Sequence, residues 1–220
     1  MVESATSFRK NGYNDEDAAQ LAVVASKFQN IADEQISAGD SADFIISQLI
    51  AFGIEAKNAE SVIDALNEVS NNFSVSSGDL SKALGVVSSS SSAMGNSMNE
   101  TLGIITAITE QTRSSSRAAR GANAIFANLA QVLDENSSNG KKIVEIYDKL
   151  DVTMRDGNNQ LLSGFELLKG LSEKWDTVDS NTQKYIATTI AGETMPLQGV
   201  YAGTHLEPYI LNYNRNIMVA

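Results

Sequence analysis

Three arginines are the sequence's most suggestive group for chemistry. Arg113, Arg117 and Arg120 fall at i, i+4 and i+7, so a continuous helix through them would carry one basic stripe. Such a stripe could contact an acidic partner or phosphate groups, or it could simply be solvated and paired with the chain's own carboxylates. Other groups offer less. Ser7-Phe8-Arg9-Lys10 has the Ser-x-x-Lys spacing of some acyl-transfer enzymes, but no Ser-Asp-Asn or Lys-Thr-Gly segment accompanies it. A Ser-His-Asp relay would have to run through His205, the single histidine, and no Gly-x-Ser-x-Gly elbow supplies its nucleophile.

Metal and nucleotide chemistry find no support. With one histidine and no cysteine, a two-histidine or thiolate zinc site cannot be assembled. Asp156-Gly157-Asn158 has turn chemistry without the ligand ladder of a calcium loop. Gly140-Lys141-Lys142 lacks the upstream glycine of a phosphate-binding loop. Asp15, Glu16 and Asp17 suit the positive end of a helix better than acid–base catalysis. No cofactor and no small-molecule substrate are expected, nor is enzymatic activity.

The composition says what must position these residues. The 220 residues are 42% hydrophobic and 20% charged, enough for a buried core, with aromatics at only 6%. Ala and Ser are abundant, which favours close helix contacts over a large aromatic core. Both prolines, Pro196 and Pro208, lie near the end, leaving the preceding chain free of the strongest helix breaker. The net charge of −11 disfavours nucleic acid and anionic lipid as partners. Apolar runs such as Leu21–Ala25 fall far short of the ~18 residues that span a bilayer. Met1-Val2-Glu3-Ser4 lacks the basic-then-apolar layout of a signal peptide.

Helix signals follow one another along the chain. Asn14 with Asp17 forms a capping arrangement ahead of Leu21, Val24, Ala25, Phe28 and Ile31 at helical spacing, in a region ended by Gly39. Polar residue, acid, then aliphatics recur from Asp40, Asn58, Ser76 and Ser97. The spacings of 18, 18 and 21 residues suggest a solenoid, but common cap chemistry accounts for them. Gly53 and Asn71-Asn72 read as stops. Ser88–Ser92 is either a flexible linker or a helix tail whose small side chains let a neighbour approach. Further helices are expected around Leu102–Ile108, across Ala118–Leu133, and through Ile143, Ile146, Tyr147 and Leu150. Asp151–Arg155 and Gln160–Leu162 around Asp156-Gly157-Asn158-Asn159 read as a hairpin. Phe165, Leu168, Leu171 and Trp175 form another stripe, with Trp175 as a core anchor, and Ser180-Asn181-Thr182 caps a last helix.

The fold expected is therefore mainly all-α: a bundle of short and medium helices with one small β-hairpin near residues 151–163. Three regions are expected: a helical core over 1–135, a helix, hairpin and two helices over 136–192, and a divergent tail over 193–220.

An ordered series of segments carries a family resemblance. It includes Gln29-Asn30-Ile31-Ala32-Asp33-Glu34, Ser41 to Gln48, Val62 to Asn71, and Val75 to Leu80 with Ala83-Leu84. Ser91 to Ser97, Thr106 to Glu110, Ala119-Arg120-Gly121, Ile125-Phe126, Trp175-Asp176 and Asn181 to Ala187 continue it. From about Phe8 to Gly192 the chain resembles the core region of phage tail tape measure proteins of siphophages and prophages. The resemblance implies a structural protein made in the host bacterial cytoplasm and placed in the virion tail lumen. It would set tail length, take part in genome ejection and contact the tail tube protein and tail assembly chaperones, with self-association as a further prospect. It offers no catalytic residues to carry over. A fully helical rod of this length reaches only about 330 Å at ~1.5 Å per residue. That length, with the departure after Gly192, leads us to expect a truncated or partial copy. The competing class is a helical protein–protein interaction or signalling module, which long unbroken heptads would favour; frequent caps and glycines do not.

Overall fold

The computed structural model describes residues 2–32 and 35–192. Among them are ten α-helices: α1 Val2–Lys10, α2 Asp15–Ile31, α3 Ala38–Phe52, α4 Glu60–Asn72, α5 Ser77–Ala93, α6 Met98–Thr112, α7 Ser115–Ala130, α8 Ser138–Lys149, α9 Gly164–Trp175 and α10 Ser180–Ala191. Two 3-10 turns, Ala56–Asn58 and Gln131–Leu133, precede α4 and prolong α7. The all-α class holds. His205 and the region 193–220 lie outside the described residues.

Local chemistry sets the helix bounds. Asn14, Ser37, Ser76, Ser97, Ser114, Ser137, Ser163 and Asp179 are N-caps whose side chains accept a backbone N–H from the first turn. Ser97 with Glu100 and Ser163 with Glu166 form reciprocal capping boxes. Three expected starts move. Ser37 caps α3, so Asp40 and the expected stop Gly39 lie inside it; Asn58 closes a 3-10 turn and α4 begins without a side-chain cap; and Asp179 takes the cap of α10 from Ser180. Gly53 ends α3 in the left-handed region at φ 64°, which a residue without Cβ adopts freely.

The hairpin expected over 151–163 is not there. No strand occurs among the described residues, and Arg155 and Leu161 form only an isolated antiparallel bridge. Two features prevent a ladder. The Asp156 carboxylate accepts the backbone N–H groups of Asn158 and Gln160 at 2.9 and 2.8 Å, closing a compact loop. The chain is also committed to helix from Gly164, so the second arm, residues 161–163, has no room for a further rung.

One apolar cluster runs from Phe8 to Ala191. Helix α5 is its hub, packed against α3, α4, α6 and α7, while α1, α2 and α3 gather on one side and α8 and α10 pack on α7. The serine run resolves as the helix tail: Ser88 and Ser91 are buried along α5. Helix α6 is buried over most of its circumference, from Thr101 through Thr109. A helix apolar all round sits at the centre of a bundle. Trp175 and Tyr147 are buried anchors, and the Tyr147 hydroxyl donates to the Leu167 carbonyl at 2.9 Å. Burial pushes that phenol's pKa up.

Candidate functional site

The interior has a polar seam along α5. Ser88 Oγ lies 2.6 Å from Gln48 Oε1 of α3, and Ser92 Oγ donates to the Ala51 carbonyl. Further along, Ser91 Oγ and Thr101 Oγ1 share a hydrogen bond at 2.6 Å. Asn96 Nδ2 donates to Ser91 Oγ at 2.9 Å, and Asn96 Oδ1 accepts the Phe165 N–H at 2.7 Å. This network joins α3, α5, α6 and α9 through small side chains. It is structural, since every group in it is bonded to protein. Its serines were visible in the sequence, but Asn96 and Gln48 were not distinguishable from exposed amides because their partners are 69 and 40 residues away.

The three arginines occupy a corner and not a continuous helix. Helix α6 stops at Thr112, Arg113 turns the chain in the left-handed region at φ 51°, and α7 starts at Ser115. Arg117 and Arg120 share a face of α7, and all three side chains are exposed. Among the described residues no ion pair of theirs is found, whereas Arg9–Asp15, Lys27–Glu60 and Lys57–Glu55 are among those that form.

Other candidates do not converge. Lys10 is exposed at the end of α1 and makes no hydrogen bond to Ser7 among the described residues. No group of three or more His, Asp or Glu able to hold a metal ion occurs among the described residues. No described helix is long and apolar enough to cross a membrane. Two shallow surface depressions exist. One is lined by Gly53, Glu55, Lys57, Glu60 and Asp64 among others, the second by Val132, Asp134, Glu135, Lys141, Val144 and Glu145. At the first, partial burial and then the neighbouring Glu60 raise the Asp64 pKa against the opposing pull of Lys27. The ion pair of Lys27 with Glu60 ties α2 to α4 there. The second depression was not anticipated from sequence, because Gly140-Lys141-Lys142 drew attention to its cations and not to the carboxylates they adjoin.

Fold and surface together define an all-α bundle held by capped short helices and a polar seam, with its distinguishing chemistry on the outside. Residues 1–192 match the family described as phage-related minor tail protein, and the chain belongs to that family. No solved structure matches it. Its role as a phage tail protein is accordingly structural, in contact with other tail proteins.

Proposed function

We propose that the chain is a tail tape measure segment, acting in tail assembly and length determination inside the tail lumen and taking part in genome ejection. The observation that carries this reading is the family match over residues 1–192, read with the ordered series of tape-measure-like segments from Phe8 to Gly192. Its partners would be the tail tube protein and the tail assembly chaperones.

The architecture is compatible with such a role in a particular way. The longest helices have 17 residues and so span only about 26 Å each at ~1.5 Å per residue. A bundle of such helices measures nothing until they align end to end. A seam of Ser, Thr, Asn and Gln side chains contributes less burial energy than an aliphatic one, at roughly 25 cal/mol per Å² of apolar area. Its hydrogen bonds exchange for water with a net cost of about 1 kcal/mol each. Along that seam the helices thus part more readily than along the aliphatic and aromatic contacts of the rest of the core. In the assembled tail, residues 1–135 would be the region drawn out along the lumen, with 136–192 following.

The test is an in-frame deletion of α2–α4 in the phage genome, with tails measured by negative-stain microscopy. Tails shortened to a new uniform length are expected. Virions with unchanged tail length and full infectivity would remove the length-setting role.

A further inference from the structure

The charges of this protein are segregated along α7. Residues 111–133 contain Arg113, Arg117 and Arg120 and not one carboxylate, although the chain carries 27. The arginines collect where α7 begins. A macrodipole favours carboxylates at that end and cations at the other, so Arg117 and Arg120 do not serve α7, while Arg113 stands at the C-terminal end of α6. Nor do they serve the fold through ion pairs, since among the described residues none is made. Three exposed guanidiniums with no ion pair among the described residues, on a protein of net charge −11, form a surface complementary to the rest of that same protein.

The opposite end of the same rod carries the complement. The 3-10 turn Gln131–Leu133 prolongs α7, and immediately beyond it come Asp134 and Glu135, both exposed. Glu145 of α8 faces the same depression, along with one cation, Lys141. Leu133 beside them is 63% exposed, and Val132 lines the depression. That is an apolar floor on which the aliphatic stems of arginines can lie while their heads meet carboxylates. The two ends are about 30 Å apart, from the rise of α7 and its 3-10 extension.

We propose that the basic corner of one copy docks on the acidic end of a second copy, Arg117 and Arg120 against Asp134, Glu135 and Glu145, in a head-to-tail contact. Because the two surfaces differ and lie at opposite ends of one element, the contact is heterologous and leaves a free end of each kind, so it propagates copies in a row. The inference follows from charge placement alone and stands whether or not the tape measure assignment does.

The test uses the full chain, with R117E/R120E and D134K/E135K as two variants, each checked for unchanged helix content by circular dichroism. In sedimentation velocity the wild-type chain is expected to self-associate reversibly and to dissociate at 1 M salt, where charges are screened beyond about 3 Å. Each variant alone is expected to associate at least about tenfold more weakly. An equimolar mixture of R117Q/R120Q with D134N/E135N joins the native basic corner of the second to the native acidic end of the first. It therefore forms a 1:1 complex through the one native contact left, since the neutralised surfaces have no complement, and R117Q/R120Q alone behaves like R117E/R120E. A wild-type chain that stays monomeric up to millimolar concentration overturns the proposal. So does a mixture without the 1:1 complex, or loss of duplex DNA binding in the arginine variants with self-association unchanged.

Discussion

Asn96 Oδ1 accepts the backbone N–H of Phe165 at 2.7 Å, joining the loop after α5 to the first turn of α9 across 69 residues of sequence. The same side chain donates to Ser91 Oγ at 2.9 Å, and the Gly164 N–H donates to the Met94 carbonyl at 2.9 Å beside it. Gly164 is confined here, since a Cβ would lie 3.1 Å from the Phe126 ring and 3.2 Å from Asn96. Asn96→Ala leaves a helix N-terminal N–H without its acceptor and removes one of the two partners of the buried Ser91 hydroxyl. The expected loss is about 2–3 kcal/mol, measured as a shift in the denaturant midpoint at constant slope. A change under 0.5 kcal/mol would mean that water replaces the amide and the clamp is not structural.

Thr106 and Thr109 present the opposite case. Both hydroxyls are buried on α6 with no hydrogen-bond partner. A threonine on a helix can return its hydroxyl to a carbonyl one turn back, as Thr101 does to Ser97 and Thr112 to Ile108. These two do not, so each keeps a desolvation cost with no compensating bond. Thr106→Val and Thr109→Val preserve shape and remove the unsatisfied oxygen. Each is expected to stabilise the protein by about 1 kcal/mol, seen as a Tm increase of ~2–4 °C for a chain of this size. A Tm decrease in both variants would show that the hydroxyls are satisfied after all.

The helices were legible because their signals are local. Asn14 with Asp17, Ser97 with Glu100, and Gly53 act within one turn, so neighbouring residues carry the whole message. What failed was decided at a distance or by competition. The segment 151–163 has good turn chemistry, yet the Asp156 carboxylate bonds the loop and α9 begins too soon for the second arm to extend. The centrality of α6 was hidden because Thr101, Thr106 and Thr109 look polar in sequence, and only packing shows them inside. Arg113 was placed on a helix by spacing; its left-handed conformation is rare for a residue with a Cβ and leaves no sequence mark. The carboxylates of the acidic end are brought together by the α7–α8 turn, which spacing alone does not specify.

Acid will weaken α10 first. The Asp179 carboxylate accepts the Asn181 and Thr182 N–H groups at 2.9 and 3.2 Å and the Thr182 hydroxyl at 2.6 Å. These bonds, the Thr182 hydroxyl foremost, hold its pKa below the ordinary aspartate value. A carboxyl depressed in the folded state contributes stability that is full above its unfolded pKa and is lost as pH falls through the folded one. Amide protection factors in α10 should therefore fall below about pH 4 before those in α5 or α6 do. In Asp179→Ala that acid step should vanish, because α10 then lacks the cap at every pH. An acid step of the same size in the variant would assign it elsewhere.

Gly140 is the tightest point between α7 and α8. A Cβ there would stand 2.2 Å from the Gln131 carbonyl oxygen and 2.7 Å from its carbon, both backbone atoms that cannot swing aside. Two bonds hold the approach: Ser137 Oγ accepts the Gly140 N–H at 3.0 Å, and the Ser137 hydroxyl lies 2.9 Å from Gln131 Oε1. Gly140→Ala must push α8 away from the end of α7, at an expected cost of about 1–3 kcal/mol from overpacking. Helix propensity runs the other way, since alanine in an exposed helix is favoured by about 1 kcal/mol over glycine. The sign of the measured change therefore decides between the two effects. Thermal unfolding of Gly140→Ala beside Gly85→Ala, where a Cβ meets nothing within 4 Å, separates them. Destabilisation at 140 with stabilisation at 85 is expected, and stabilisation at both would mean that α8 does not pack as closely on α7 as described.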